Sequence, residues 1–164
     1  MKLFWDFLEG VASGFVSAGS EKTPANPAGE VVETCCQQLG WAIDERPNAH
    51  EMFLHFKDPL IRVRKVLVCF DDEGFYVAFT AFSAVCVPAQ QVPIEALGYL
   101  LKRNGKSFVN WEMCIGDGGD IGFALNYFAL ASGLRPAAFK LICDTMLKEV
   151  HEFDARMDKA GLLR

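Results

Sequence analysis

The residues best suited to chemistry in this 164-residue chain are three histidines, six cysteines and two acidic turns. His50-Glu51-Met52-Phe53-Leu54-His55 comes close to the zinc-protease helix pattern. Chelation from one helical face needs histidines four apart, and these are five apart. On a strand, an odd separation sends them to opposite faces. Asp117-Gly118-Gly119-Asp120 resembles the start of a calcium loop. Counting on from Asp117, however, puts Gly119, Ile121 and Phe128 where oxygen ligands are required. It reads as a hairpin turn, as does Asp71-Asp72-Glu73-Gly74. His151 has Asp154 and Asp158 at helical offsets three and seven, which reads as a surface ion pair. Arg62 and Arg64 alternate along a strand and read as a solvated row. Cys35, Cys36, Cys69, Cys86, Cys114 and Cys143 include no CxxC pair, so a zinc tetrahedron lacks its short-range ligand pairs. Each lies in an apolar run and is expected as a reduced core thiol, which fits a cytoplasmic setting. GxSxG, P-loop and GxGxxG patterns do not occur. No catalytic residue, cofactor site or metal site is therefore expected.

The elements that would position any site follow from periodicity. Hydrophobic residues make up 51% and charged residues 23%, enough apolar surface to build a core and escape wholesale disorder. The net charge of -5 argues against nucleic acid as partner, because phosphate binding needs surplus cations. Fourteen Phe imply a thick aromatic core, an apolar interface, or both. Asn26-Pro27 is a helix start, with Val31, Val32, Cys35 and Leu39 inward and Gly40 as the left-handed stop. Strands are expected over Trp41–Ile43, Met52–Phe56, Ile61–Phe70 and Phe75–Val87, with Phe75, Val77 and Phe79 on one face. In the third strand the apolar set changes parity beyond Lys65, to Val66, Val68 and Phe70. Either a bulge slips the phase or both faces are covered, and the second option implies a subunit contact.

A second helix opens at Pro93 and stops at Gly105. Ile94, Leu97 and Leu101 form its apolar stripe, and Gly98 allows close packing. Phe108–Ile115 and Ile121–Leu130 are two further strands. Pro136 opens a last helix to about Ala160. Phe139, Cys143, Met146, Val150, Phe153 and Met157 recur along it as a seam of period 3.5. Lys140, Asp144, Lys148, Glu152 and Arg156 alternate in sign at four-residue spacing and mark a solvated face. The seam implies a helix covering a sheet. A sharper version sends its last two turns, with Val150, Phe153 and Met157, into a partner subunit.

Residues 1–18 form an amphipathic helix by pattern, with Phe4, Phe7, Leu8, Val11 and Phe15 on one side. Asp6 and Glu9 interrupt the run, which is too short and too charged for a signal peptide or a membrane span. Docking on protein, contact with a membrane surface or a partner, and a frayed tail remain open for it. Residues 19–29 read as a linker, and residues 30–164 as the folded domain.

The stretch Ile94-Glu-Ala-Leu-Gly-Tyr-Leu-Leu-Lys-Arg-Asn-Gly-Lys-Ser-Phe108 leads into a hairpin and then Leu134-Arg-Pro-Ala-Ala-Phe139. With this order of elements, residues 30–160 resemble the YbjN-type domain, whose fold is similar to that of the type III secretion chaperones. Arg135 stands where the family usually places a capping Thr. The resemblance implies an α+β fold, an antiparallel sheet flanked by helices. It brings no catalytic set, since YbjN-like proteins are candidate bacterial sensory-transduction regulators. Their chaperone-like relatives are small acidic proteins that often form homodimers and bind segments of other proteins on exposed apolar surfaces. The resulting expectation is a non-enzymatic, cytoplasmic, homodimeric protein-binding module. Phe4, Phe7, Leu8, Val11, Phe15, Val150, Phe153 and Met157 are its candidate contact residues. A small-molecule- or metal-binding regulatory domain is the alternative, ahead of an enzyme of unfamiliar type.

Overall fold

The computed structural model describes residues 26–57, 63–104, 106, 108–116 and 119–162. The N-terminal candidates Phe4, Phe7, Leu8, Val11 and Phe15 lie outside that set. Helix α1 (Pro27–Leu39) starts as expected, so residues 27–29 are helical and do not belong to a linker. The Asn26 side chain accepts from the Ala28 and Gly29 amides at 2.9 and 3.3 Å, satisfying donors that the first turn leaves free. Gly40 closes the helix at φ 68°, a conformation that favours glycine.

Four strands follow: β1 (Glu45–Asn48), β2 (Glu51–Lys57), β3 (Val63–Phe70) and β4 (Tyr76–Pro88). Trp41–Ile43, expected as a strand, is not one. The Trp41 amide still donates to Cys36 O at 2.9 Å, and pairing starts only where the Asp44 amide meets Phe53 O at 3.1 Å. Trp41 serves instead as an aromatic plug, its ring 5.0 Å from Phe56 and 5.6 Å from Phe139. Helix α2 (Ile94–Asn104), strands β5 (Asn110–Ile115) and β6 (Asp120–Leu130), and helix α3 (Pro136–Lys159) complete the described fold. Arg135 makes no side-chain cap on α3, and its guanidinium donates back to Ser132 O and Leu134 O.

The strands form one antiparallel sheet in the order β1-β2-β3-β4-β6-β5. The three described helices all contribute to a single core against one face of it. Strand residues of one parity point there: Met52, Leu54, Val66, Val68, Phe70, Val77, Phe79, Ala81, Trp111, Phe123 and Leu125. The α3 seam Phe139, Cys143, Met146, Val150, Phe153 and Met157 is wholly buried against them. Phe153 sits at the centre, with ring centroids 4.7 Å from Trp111, 5.2 Å from Phe123 and 5.3 Å from Tyr99. Val150, Phe153 and Met157 therefore serve this chain's own core and have no surface to offer a partner, because the sheet beneath α3 is long enough to receive every turn of the seam. The charged comb faces outward, with Lys140–Asp144 at 2.5 Å and Lys148–Glu152 at 4.0 Å.

Candidate protein-binding surface

The other face of the sheet receives no helix among the described residues. Its composition follows from register, since residues opposite one another share a face. Phe53, Leu67, Thr80, Asn126 and Asn110 form one row across β2, β3, β4, β6 and β5. Cys69, Ala78 and Phe128 form the next, and Tyr76 pairs with Leu130 beyond it. On the other side of the central row, Phe82, Ala124 and Glu112 align. Small side chains occupy the middle: Ala78, Thr80, Ala124 and Asn126 are buried, and Thr80 Oγ1 donates to Asn126 Oδ1 at 2.7 Å. Large ones stand around them half exposed: Tyr76 at 53%, Phe82 at 43%, Phe128 at 49% and Leu130 at 57%. Leu67, Cys69 and Ala78 form an apolar cluster of their own, separate from the main core, with Phe53 against it.

The parity question in β3 is thereby answered. Pairing with β2 runs unbroken from Glu51↔Cys69 to Lys57↔Val63, so no bulge intervenes. Both faces of the strand carry apolar residues. The irregularity lies in β4 instead, between Phe82 and Cys86. There the buried Asp154 of α3 accepts from the Ser83 hydroxyl at 2.5 Å and the Ala84 amide at 3.1 Å. Asp154 is thus buried rather than a surface carboxylate, and it holds the irregularity of β4 against α3. Phe75 does not share a face with Val77 and Phe79. It precedes β4 and is exposed.

Two cysteines also depart from expectation. Cys86 is exposed and Cys114 half-buried, because both flank Gly122 on the open face, where no described helix lies over them. Cys35, Cys36, Cys69 and Cys143 are buried free thiols. Burial pushes Cys69 up to about 12 and Cys36 up to about 11, so both stay protonated and unreactive near neutrality. His50 and His55 take separate partners: His50 Nδ1 lies 3.6 Å from Asp72, and His55 Nε2 lies 3.6 Å from Glu45. Among the described residues, no three His, Cys, Asp or Glu side chains converge as metal ligands. Asp71 uses its groups on the turn itself, accepting from the Tyr76 amide through Oδ1 and from the Gly74 amide through its carbonyl.

The described residues contain one buried hub of charge. The Arg103 guanidinium donates twice to Glu149, which also lies 3.4 Å from Tyr99 Oη and 3.5 Å from Trp111 Nε1. Burial alone would raise the Glu149 carboxyl. The Arg103 hydrogen bonds and charge outweigh it and hold the group below the usual carboxylate range. This hub fixes α2 against α3 and turns Ala96 and Leu100 inward. The expected stripe of α2 consequently points the other way. Ile94 is 78% and Leu101 77% exposed, and beside them a side chain at Gly98 would meet open space.

A polar cleft of about 440 Å³ opens between α1 and the β1–β2 hairpin, lined by Glu30, Glu33, Arg46, Asn48 and Glu51 among others. Glu33 and Arg46 bridge part of it at 2.5 Å. Glu51 accepts from Asn48 through one oxygen, leaves the other without a partner, and is pushed up by burial.

This arrangement has counterparts among solved structures. YbjN from E. coli, described as a candidate transcription regulator, superposes with a TM-score of 0.60 at 13% identity, over 82% of this chain and 94% of that one. A chain of the HopA1–SchA chaperone–effector complex superposes with a TM-score of 0.55 at 8% identity, over 83% of this chain and 99% of that one. The fold is YbjN-like and chaperone-like. No protein-family model and no curated protein sequence matches the chain. What this YbjN-like sheet presents to solvent was only half visible in sequence. Tyr76, Phe82, Phe128 and Leu130 were missed as surface candidates, although the signal was present: β4 and β6 are apolar at both parities. No described helix is long and apolar enough to cross a membrane.

Proposed function

We propose that this protein is a non-enzymatic, chaperone-like or regulatory module that holds segments of other proteins on the open face of its sheet. It works in the cytoplasm as a homodimer. The observation that carries this reading is an apolar sheet face with half-exposed Tyr76, Phe82, Phe128 and Leu130 and no described helix over it. Contiguous exposed apolar patches of this kind mark interaction sites. Aromatic anchors around a small-residue floor suit the side chains of an extended strand or an amphipathic helix. A neighbour from a chaperone–effector complex is consistent with that use of the fold.

The dimer contact we assign to the outer stripe of α2. Ile94, Gly98 and Leu101 recur at helical spacing, and the bare glycine lets a symmetry-related helix approach closely. That contact leaves the sheet face free. Prevention of aggregation of reduced insulin chains, followed by light scattering, tests the reading. The wild-type protein is expected to suppress scattering, and Phe128→Asp to lose most of that effect while keeping its thermal unfolding temperature. Equal suppression by both proteins would remove the open face from the function.

A further inference from the structure

Resting on that reading of the open face, we propose that residues 4–15 of this same chain dock there as an intramolecular occupant. An external protein segment must displace them to bind.

Tether position comes first. Twenty-five residues precede Asn26, and the structure fixes where they end. The Asn26 side chain donates to Asp71 O at 2.7 Å, and Pro27 packs so tightly on Gly74 that a Cβ there would lie 2.7 Å from its ring. Asp71 and Gly74 belong to the β3–β4 turn, directly before Tyr76. The segment therefore leaves the domain at the Tyr76–Leu130 end of the open face. Residues 19–25, fully extended, reach about 24 Å, enough to round the end of a sheet with a second layer about 10 Å away.

Size and chemistry agree with that tether. From Tyr76 to Phe82 the patch runs six strand residues, about 20 Å. From Phe4 to Phe15 a helix rises about 17 Å, with Phe4, Phe7, Leu8, Val11 and Phe15 along one side. Small residues at the centre of the face are framed by the half-exposed Tyr76, Phe82 and Phe128, an apolar rim against which the side chains of the segment can pack. A short linker also sets the choice between this chain and a second copy. It holds the segment at an effective concentration of the order of millimolar, which a separate molecule at micromolar concentration does not match.

The test uses the full chain with benzoylphenylalanine in place of Phe7, irradiated over a hundredfold range of dilution. The expected product is an intramolecular crosslink to peptides from residues 65–82 or 120–130, at a yield independent of concentration. Crosslinks confined to α3, an absence of crosslinks, or a yield that falls with dilution would overturn the proposal; the last would make a second copy the occupant. A companion variant, Phe7→Asp/Val11→Asp, is expected to suppress insulin aggregation at several-fold lower protein concentration, and unchanged potency counts against the proposal. The two readings fail separately. Loss of insulin protection in Phe128→Asp with no crosslink in the wild type sinks the intramolecular occupant and leaves the binding face standing. A crosslink to the open face with insulin protection indifferent to Phe128→Asp supports the occupant and removes the binding role.

Discussion

Phe153 decides whether the last helix belongs to this chain's core or to a subunit contact, and Phe153→Ala separates the two. The ring is wholly buried and lies within 5.3 Å, centroid to centroid, of Trp111, Phe123 and Tyr99. Truncation removes that contact area and leaves a cavity that three aromatic neighbours, themselves anchored on β5, β6 and α2, fill poorly. Phe→Ala substitutions in such sites cost about 3–5 kcal/mol. At about 2–4 °C per kcal/mol for a domain of this length, the melting temperature should fall by roughly 6–20 °C. The urea midpoint should fall with it and the slope should stay the same, since the surface exposed on unfolding hardly changes. Sedimentation equilibrium at a temperature where the variant is folded should give the wild-type self-association constant. A variant of undiminished stability whose self-association is lost would refute the reasoning, because it would place Phe153 between subunits.

Three further outcomes follow from the same geometry. Leu101→Asp should leave unfolding nearly unchanged, since the side chain is 77% exposed, and weaken self-association by at least a hundredfold. A two-fold contact counts each change twice, and full burial of one leucine is worth about 1.5–3 kcal/mol. Glu149→Gln should cost about 2 kcal/mol at pH 7, below the usual 3–5 for breaking a buried pair because Arg103 keeps partial access to water. The Glu149 carboxyl is held below its unfolded value, so its stabilisation is present above the ordinary carboxylate range and fades as pH falls through the folded value. The gap between wild type and variant in urea melts should therefore close on acidification below about pH 4, and a constant gap contradicts the assignment. Asp154→Ala should cost about 2 kcal/mol by stranding the Ser83 hydroxyl and the Ala84 amide in the β4 bulge. Hydrogen exchange should rise in residues 82–88 first, and uniform loosening of the molecule speaks against it.

Where sequence and structure agree, the cause is local. Asn26-Pro27 and Gly40 carry their helix boundaries in their own side chains and backbone freedom. The α3 seam is legible because its 3.5-residue period repeats over six positions, and the acidic turns because Gly74 and Gly119 take positive φ. Disagreement arises where position in the sheet decides. Trp41–Ile43 has strand composition, but the α1 exit claims the Trp41 amide. Cys86 sits in an apolar run on the face that no described helix covers. The α2 stripe was read with the right residues and the wrong direction, since the Arg103–Glu149 pair sets the rotation of that helix through a partner 46 residues away. The open face is legible as apolar residues at both parities in β3, β4 and β6, but its freedom from a described helix follows only from the fold.

Methyl and aromatic NMR spectra of the full chain, recorded while a permanently unfolded protein such as reduced, carboxymethylated lactalbumin is added, test the binding face most directly. The expected shifts fall on Leu67, Ala78, Ala124, Tyr76 and Phe128, with Ile142, Met146 and the core residue Met52, which also lines the cleft beside α1, unmoved. Shifts confined to Met52 and the α1 cleft, with the open face silent, would contradict a protein-holding sheet.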